Sequence, residues 1–171
     1  MAKKIDDVFD DSNQVPSNWV SWGVPAIALD GTKSEKCDKI FGTLIRKFET
    51  TTTTPEGVVK KVTNYELKAD FGSYHDLDEK KNPIEPAIEV EEGGFYNIGG
   101  RPGLVPQMQN VKIGQKIGLK YVEEVASKKK GNNPAKIIRV FAPKNDDGSY
   151  KMDEQFLAEQ GQSELEKEFD K

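Results

Sequence analysis

The chain has 171 residues, of which 35% are hydrophobic and 32% charged, enough for one modest core and therefore one domain with tails. No apolar run is long enough to span a bilayer, the opening MAKKIDDVFDD lacks the apolar middle of a secretory leader, and a lone cysteine, Cys37, excludes an internal disulfide; a soluble protein of the cytoplasm is expected. The net charge of −4 is unevenly spread: residues 1–15 carry two basic and four acidic side chains and residues 144–171 four and nine, which leaves a mildly basic body between acidic ends.

Residues 1–18 read as a flexible N-terminal arm, with few apolar groups, four aspartates and Pro16 as a breaker. Trp19 and Trp22 open the body, which runs to residue 143; each can plug one end of a core, and an exposed one would be a stacking platform. Residues 26–39 are small and polar and read as a loop. Cys37 reads as a small core residue rather than a nucleophile, because the sole histidine, His75, is far away in sequence.

IFGTLIRKFE, residues 40–49, predicts a first strand. It is apolar on both faces, as in a strand that curls through a barrel and bends at Gly42. The threonines 50–54 with Pro55 and Gly57 predict a hairpin loop. VVKKVTNYELKADF, residues 58–71, alternates with period 2: Val59, Tyr65, Leu67, Ala69 and Phe71 fall on the expected core face, and Lys60, Val62, Asn64, Glu66 and Lys68 on the other. Residues 72–93 form an acidic connection. His75, Asp76, Asp78 and Glu79 lack the spacing of a metal site or a calcium loop, so a solvated loop is expected, with a short strand at Ile84–Val90.

GFYNIGG, residues 94–100, predicts a short strand, Arg101-Pro102-Gly103 a turn, and Leu104–Asn110 a short helix with Leu104, Val105 and Met108 inward. In QKIGLKYVEEV, Ile117, Leu119 and Tyr121 alternate with Lys116, Gly118 and Lys120, so one face is apolar and one basic. The loop ASKKKGNNP leads to a last strand, AKIIRVFAP, in which Ile138 and Val140 oppose Ile137, Arg139 and Phe141. The tail, residues 144–171, contains a short helix capped by Asp153 and stopped by Gly161, then a capping-box spacing from Ser163 to Glu166.

Strand, strand, strand, short helix, strand, strand is the order of a mainly β, five-stranded OB-fold Greek-key barrel with its helix between strands three and four, here with flexible acidic termini. A β-sandwich is the alternative. No Gly-rich phosphate loop follows a strand, which argues against a nucleotide-hydrolysing α/β fold. No nucleophile–base pairing is visible, so no catalytic residue, cofactor or metal ligand is assigned.

The charge of one stretch points to function. Lys112 to Arg139 holds eight basic and two acidic residues. Single strands are held by cations on phosphates and by aromatic rings on bases, presented in OB-folds by strands two and three and the flanking loops. On that geometry the candidate nucleic-acid-binding residues are Arg46, Lys47 and Phe48 on strand one, Lys60, Lys61 and Lys68 on strand two, Tyr74 and Tyr96 as stackers, Arg101 at the turn, and Lys116, Lys120, Lys128, Lys129 and Lys130 along the basic hairpin. Tyr65, Phe71, Tyr121 and Phe141 read as core.

Through NIGGRPG, VKIGQKIGLKY, KKKGNNPAKIIRVF and the tail ELEKEFDK, the body, roughly residues 40–143, resembles the bacteriophage single-stranded-DNA-binding proteins that combine an OB-fold with an acidic C-terminal tail. The resemblance implies a non-enzymatic, sequence-nonspecific single-stranded DNA binding protein that protects DNA in phage replication, recombination or repair, in the host cell cytoplasm. It also implies contacts with replication or recombination proteins through the tail, and is compatible with a homo-oligomer. The tail departs from bacterial relatives, which finish on an acidic run closed by Pro-Phe, by ending Phe169-Asp170-Lys171. RNA is not separable from DNA by these residues. The rival reading is a non-catalytic OB-like structural or protein-interaction module, of a virion or replication complex, that binds no nucleic acid.

Overall fold

The computed structural model describes residues 18–126 and 134–169, with side chains through Gly161. Residues 1–17 of the arm, Lys128, Lys129 and Lys130, and the side chains of the Ser163–Glu166 box lie outside this range. Six strands form one open antiparallel sheet: β1 (Lys39–Thr53), β2 (Val59–Tyr74), β3 (Ile88–Glu89), β4 (Phe95–Ile98), β5 (Lys116–Val125) and β6 (Ala135–Phe141). Their order is β3-β2-β1-β5-β6, with β4 also beside β2. A short helix, α1 (Val105–Met108), links β4 to β5, and α2 (Glu154–Phe169) follows β6. Among the described residues no helix is long and apolar enough to cross a membrane.

The expected closure into a barrel is not seen: β4 and β6 do not pair, and other groups cover their edges. On the β6 side the Gln107 side chain stands in for a strand. Its Nε2 donates to the Ile138 carbonyl at 2.8 Å and its Oε1 accepts from the Val140 amide at 3.0 Å. On the β4 side the segment at Asn18–Val20 runs parallel, with Val20 N donating to Asn97 O at 2.9 Å and Asn97 N to Asn18 O at 2.7 Å. Both edges thus have partners for some of their free backbone groups, which blunts edge-to-edge association.

One face of the sheet builds the core from the inward positions Ile40, Leu44, Tyr65, Leu67, Ala69, Tyr96, Ile98, Ile117, Leu119, Tyr121 and Ile138, closed by Leu104 and Met108 at the two ends of α1 and by Trp22. Two register shifts in the β1–β2 pair, between Phe41 and Gly42 and between Leu44 and Arg46, break the simple alternation. The first leaves Asp70 unopposed, so Ala69 pairs with Gly42 while Phe71 pairs with Phe41. An extra residue in one strand reverses every later side chain. Phe71 is therefore turned out and is 59% exposed, contrary to the core position its spacing predicts. Gly72 makes this possible: its φ is +146°, and a Cβ there would lie 2.4 Å from the Lys39 carbonyl oxygen.

Other expectations shift at their boundaries. The threonine run is strand as far as Thr53, because β-branched side chains suit the pleat, and the turn narrows to Thr54–Gly57. Val59, assigned to the core face, lies beyond the core near the hairpin tip and is exposed. The strand expected at Ile84–Val90 shrinks to Ile88–Glu89. Asp153 caps α2 as predicted, its Oδ1 accepting from Phe156 N at 3.0 Å. Gly161 does not stop the helix, since its penalty of about 1 kcal/mol is outweighed by the good helix formers around it.

Candidate nucleic-acid interface

The sheet's outer face carries the candidate site. Pairing brings Phe71 on β2 opposite Phe41 on β1, Phe41 opposite Gly118 on β5, and Gly118 opposite Phe141 on β6. These four positions form one row across four strands, roughly 14 Å from end to end at the normal strand spacing. Phe41 and Phe71 stack with centroids 5.2 Å apart and planes 18° from parallel. Phe141 is 51% exposed at the far end. Gly118 gives the Phe41 ring room to lean over β5, because a Cβ there would meet Phe41 Cδ2 at 3.3 Å. The three rings make one apolar strip that faces solvent.

Two residues further along each strand the same face is basic. Ser73 opposes Lys39, Lys39 opposes Lys120, and Lys120 opposes Arg139. A row of three cations thus runs beside the aromatic row. On the other side the face is neutralised: Lys116 Nζ lies 2.7 Å from Asp70 Oδ2 and 3.7 Å from Asp153 Oδ2, and the Thr43 hydroxyl donates to Asp153 at 2.6 Å. Burial would raise the Asp153 pKa, but the hydrogen bonds from Thr43 and Phe156 and the charge of Lys116 hold it below the usual carboxylate range.

A second aromatic group sits further along the outer face. Trp19 is 44% exposed, with its ring edge-on to Phe48 at 5.9 Å, and the Arg46 guanidinium lies 4.4 Å from the Phe48 centroid while its Nε is 3.6 Å from Glu66. Trp22, by contrast, is buried in the core. Of the two tryptophans, Trp22 plugs the core and Trp19 lies at the surface.

The remaining predicted residues scatter. Tyr74 and Tyr96, expected to stack on bases, are 6% and 5% exposed and pack edge-to-face at 6.3 Å, with the Tyr96 hydroxyl accepting from Glu91 N. Both are core residues, because each falls on the inward side of its strand. Lys47 shares the register position of buried Tyr65 and its Nζ donates to the Met108 carbonyl at 3.1 Å, so it closes the end of α1 and does not join the outer face. Lys60 and Lys61 are exposed near the hairpin tip, roughly 30 Å along β2 from Phe71. Lys68 is half-buried on the outer face, between Thr43 and Phe95 in register. Lys120 joins the basic row, and Arg101 lines a cleft that the row reaches only at Arg139. Lys128, Lys129 and Lys130 are outside the described residues.

Phe41 and Lys39 were not among the residues expected here, and Phe71 and Phe141, expected in the core, face outward because their strand positions fall on the outer side. A signal was present: Gly118 was already outward between two lysines, and an outward glycine in a strand marks a close approach from a neighbouring side chain.

Beside the basic row lies a cavity of about 670 Å³, walled in part by Lys39, Cys37, His75 and Glu85. Here His75 departs from the solvated loop expected of it. It is buried, its Nδ1 lies 2.7 Å from Asp38 Oδ1, and its Nε2 lies 3.2 Å from Glu85 Oε1. The other Asp38 oxygen accepts from the amides of Gly23, Val24 and His75. Burial alone would lower the His75 pKa, but the hydrogen bond and charge of Asp38, reinforced by Glu85, raise it above the usual value.

No protein family, curated protein or solved structure matches the chain.

Proposed function

We propose that the chain is a non-catalytic, sequence-nonspecific binder of single-stranded nucleic acid, with single-stranded DNA as its ligand, and that its sheet is an OB-type barrel left partly open. The observation that carries the reading is the registered pair of rows on one face: Phe71, Phe41 and Phe141 beside Lys39, Lys120 and Arg139. Aromatic rings that meet solvent on a sheet give stacking surface worth about 1–3 kcal/mol per base without regard to sequence. The adjacent cations would track phosphates. A duplex keeps its bases paired and offers the rings nothing to stack on. The acidic tail is read as a competitor for this face or a recruiter of replication partners. Its root supports that placement, since Asp153 is bonded to Thr43 and Lys116 next to the aromatic row.

A protein-docking surface is the second reading, favoured by the apolar character of the phenylalanine strip. The two separate in a salt titration with fluorescently labelled oligo(dT). Three phosphate contacts predict a slope of about −2 in log K against log salt, or about a twentyfold loss of affinity between about 50 and 200 mM salt. Binding that follows this slope, with duplex DNA much weaker, supports the single-strand reading; no oligo(dT) binding at low salt rejects it in favour of docking.

A further inference from the structure

A cavity of about 170 Å³ opens between the turn before α1 and the strand β6. Its wall includes Arg101, Lys136 and Arg139, together with Leu104 and Gln107, and no carboxylate. Arg101 is half-buried and engages no carboxylate among the described residues. Lys136 hydrogen-bonds the Trp22 carbonyl oxygen through its Nζ, which lies 5.8 Å from the Tyr121 ring centroid. The acids nearest to hand are already committed: Asp38 to His75 and three backbone amides, and Glu124 to the Leu29 amide at 3.2 Å. Burial pulls both the guanidinium and the ammonium below their usual values, and repulsion from Arg101 depresses Lys136 further, against a smaller opposing pull from Glu124 and Asp38. Partly desolvated cations of like sign are unfavourable unless an anion joins them.

On its other side Arg101 lines a second cavity, about 250 Å³, shared with Trp19, Trp22, Gly99 and Gly100. One guanidinium therefore stands between a cationic cleft and an exposed indole. A planar, multidentate donor beside an aromatic platform fits a nucleotide unit better than a bare anion.

From this arrangement we infer that Arg101 and Lys136 form a phosphate-binding cleft with Arg139 at its rim, and that Trp19 receives the base attached to that phosphate. The inference deepens the single-strand reading and rests on it for the source of the phosphate, which is the strand's backbone rather than free phosphate. Arg139 belongs to both the basic row and the cleft, so a strand leaving the aromatic row over β6 would meet it next.

The test uses the full chain, with thermal melts in inorganic phosphate against chloride at equal ionic strength, and titrations with oligo(dT) read through tryptophan fluorescence in a Trp22→Phe background that leaves Trp19 as the one indole. In the native chain phosphate raises the melting temperature, and in the single-indole background oligo(dT) changes the indole signal. Arg101→Gln abolishes the phosphate effect and weakens oligo(dT) about tenfold, the scale of one lost charge-assisted contact. Because Arg101 is repelled by Lys136 and relieves no buried acid, this variant melts at or above the native temperature without phosphate; a purely structural role would lower it. Arg101→Lys recovers part of the binding. If Arg101→Gln binds phosphate and oligo(dT) like the native chain, the cleft is wrong and the aromatic row stands. If phosphate stabilises the native chain through Arg101 but oligo(dT) does not bind, the cleft takes free phosphate and the strand source is wrong.

Discussion

His75 sits between two carboxylates of unequal exposure, Asp38 fully buried and Glu85 mostly solvated. A neutral imidazole can donate from one nitrogen only, so both contacts as donors require the imidazolium. With the folded pKa raised, the extra stability is fully present below the unfolded value of about 6.5 and is lost as pH rises through the higher folded value. Melting temperature should therefore fall as pH rises above about 6.5. His75 is the only histidine, so His75→Gln should flatten that dependence as well as destabilise by about 3 kcal/mol through the unpaired Asp38. A native melting temperature that is level over this range contradicts the clamp. At this scale the sequence was legible where alternation ran unbroken, as for Leu67, Leu119 and Tyr121. It was not legible for His75, whose partner Asp38 lies 37 residues away. Nor was it for Tyr74 and Tyr96, since an aromatic ring near a loop looks the same in sequence whether it faces in or out.

At the level of elements, the bulge at Asp70 decides what the outer face presents. Period-2 reasoning assumes uninterrupted pairing, so it places Phe71 with Leu67 and Ala69; one unopposed residue moves it beside Phe41. Gly72 holds that geometry. Gly72→Ala should cost about 2 kcal/mol or more, because the substituted Cβ meets the Lys39 carbonyl at a strained φ. Gly57→Ala has positive φ but open space and should cost about 1 kcal/mol. Chemical denaturation of the two variants checks the difference, and equal losses would mean that Gly72 is needed only for its dihedral. Five of the six strands and both helices were read in the right order from hydrophobic spacing and turn residues, while β3, expected only as a short strand in a loop, makes a sixth in place of the five-stranded count. Their ends were not: the threonines carry strand propensity that polarity disguises, and Gly161 is absorbed into α2.

For the molecule as a whole, net charge misleads, because the acidity lies in the tails while the outer face carries Lys39, Lys120 and Arg139 in register. The lopsided charge from Lys112 to Arg139 was visible in sequence. Its convergence with three phenylalanines was not, since that depends on which strands are neighbours and on the β1–β2 register. The most direct measurement is the oligo(dT) affinity of Phe41→Ala, at the centre of the row, against Val59→Ala, an exposed apolar residue near the hairpin tip and away from the row. Phe41→Ala should weaken binding by about tenfold, as expected for one lost stacking contact, while Val59→Ala binds like the native chain. Native affinity in Phe41→Ala, with the fold intact, would contradict stacking at the row.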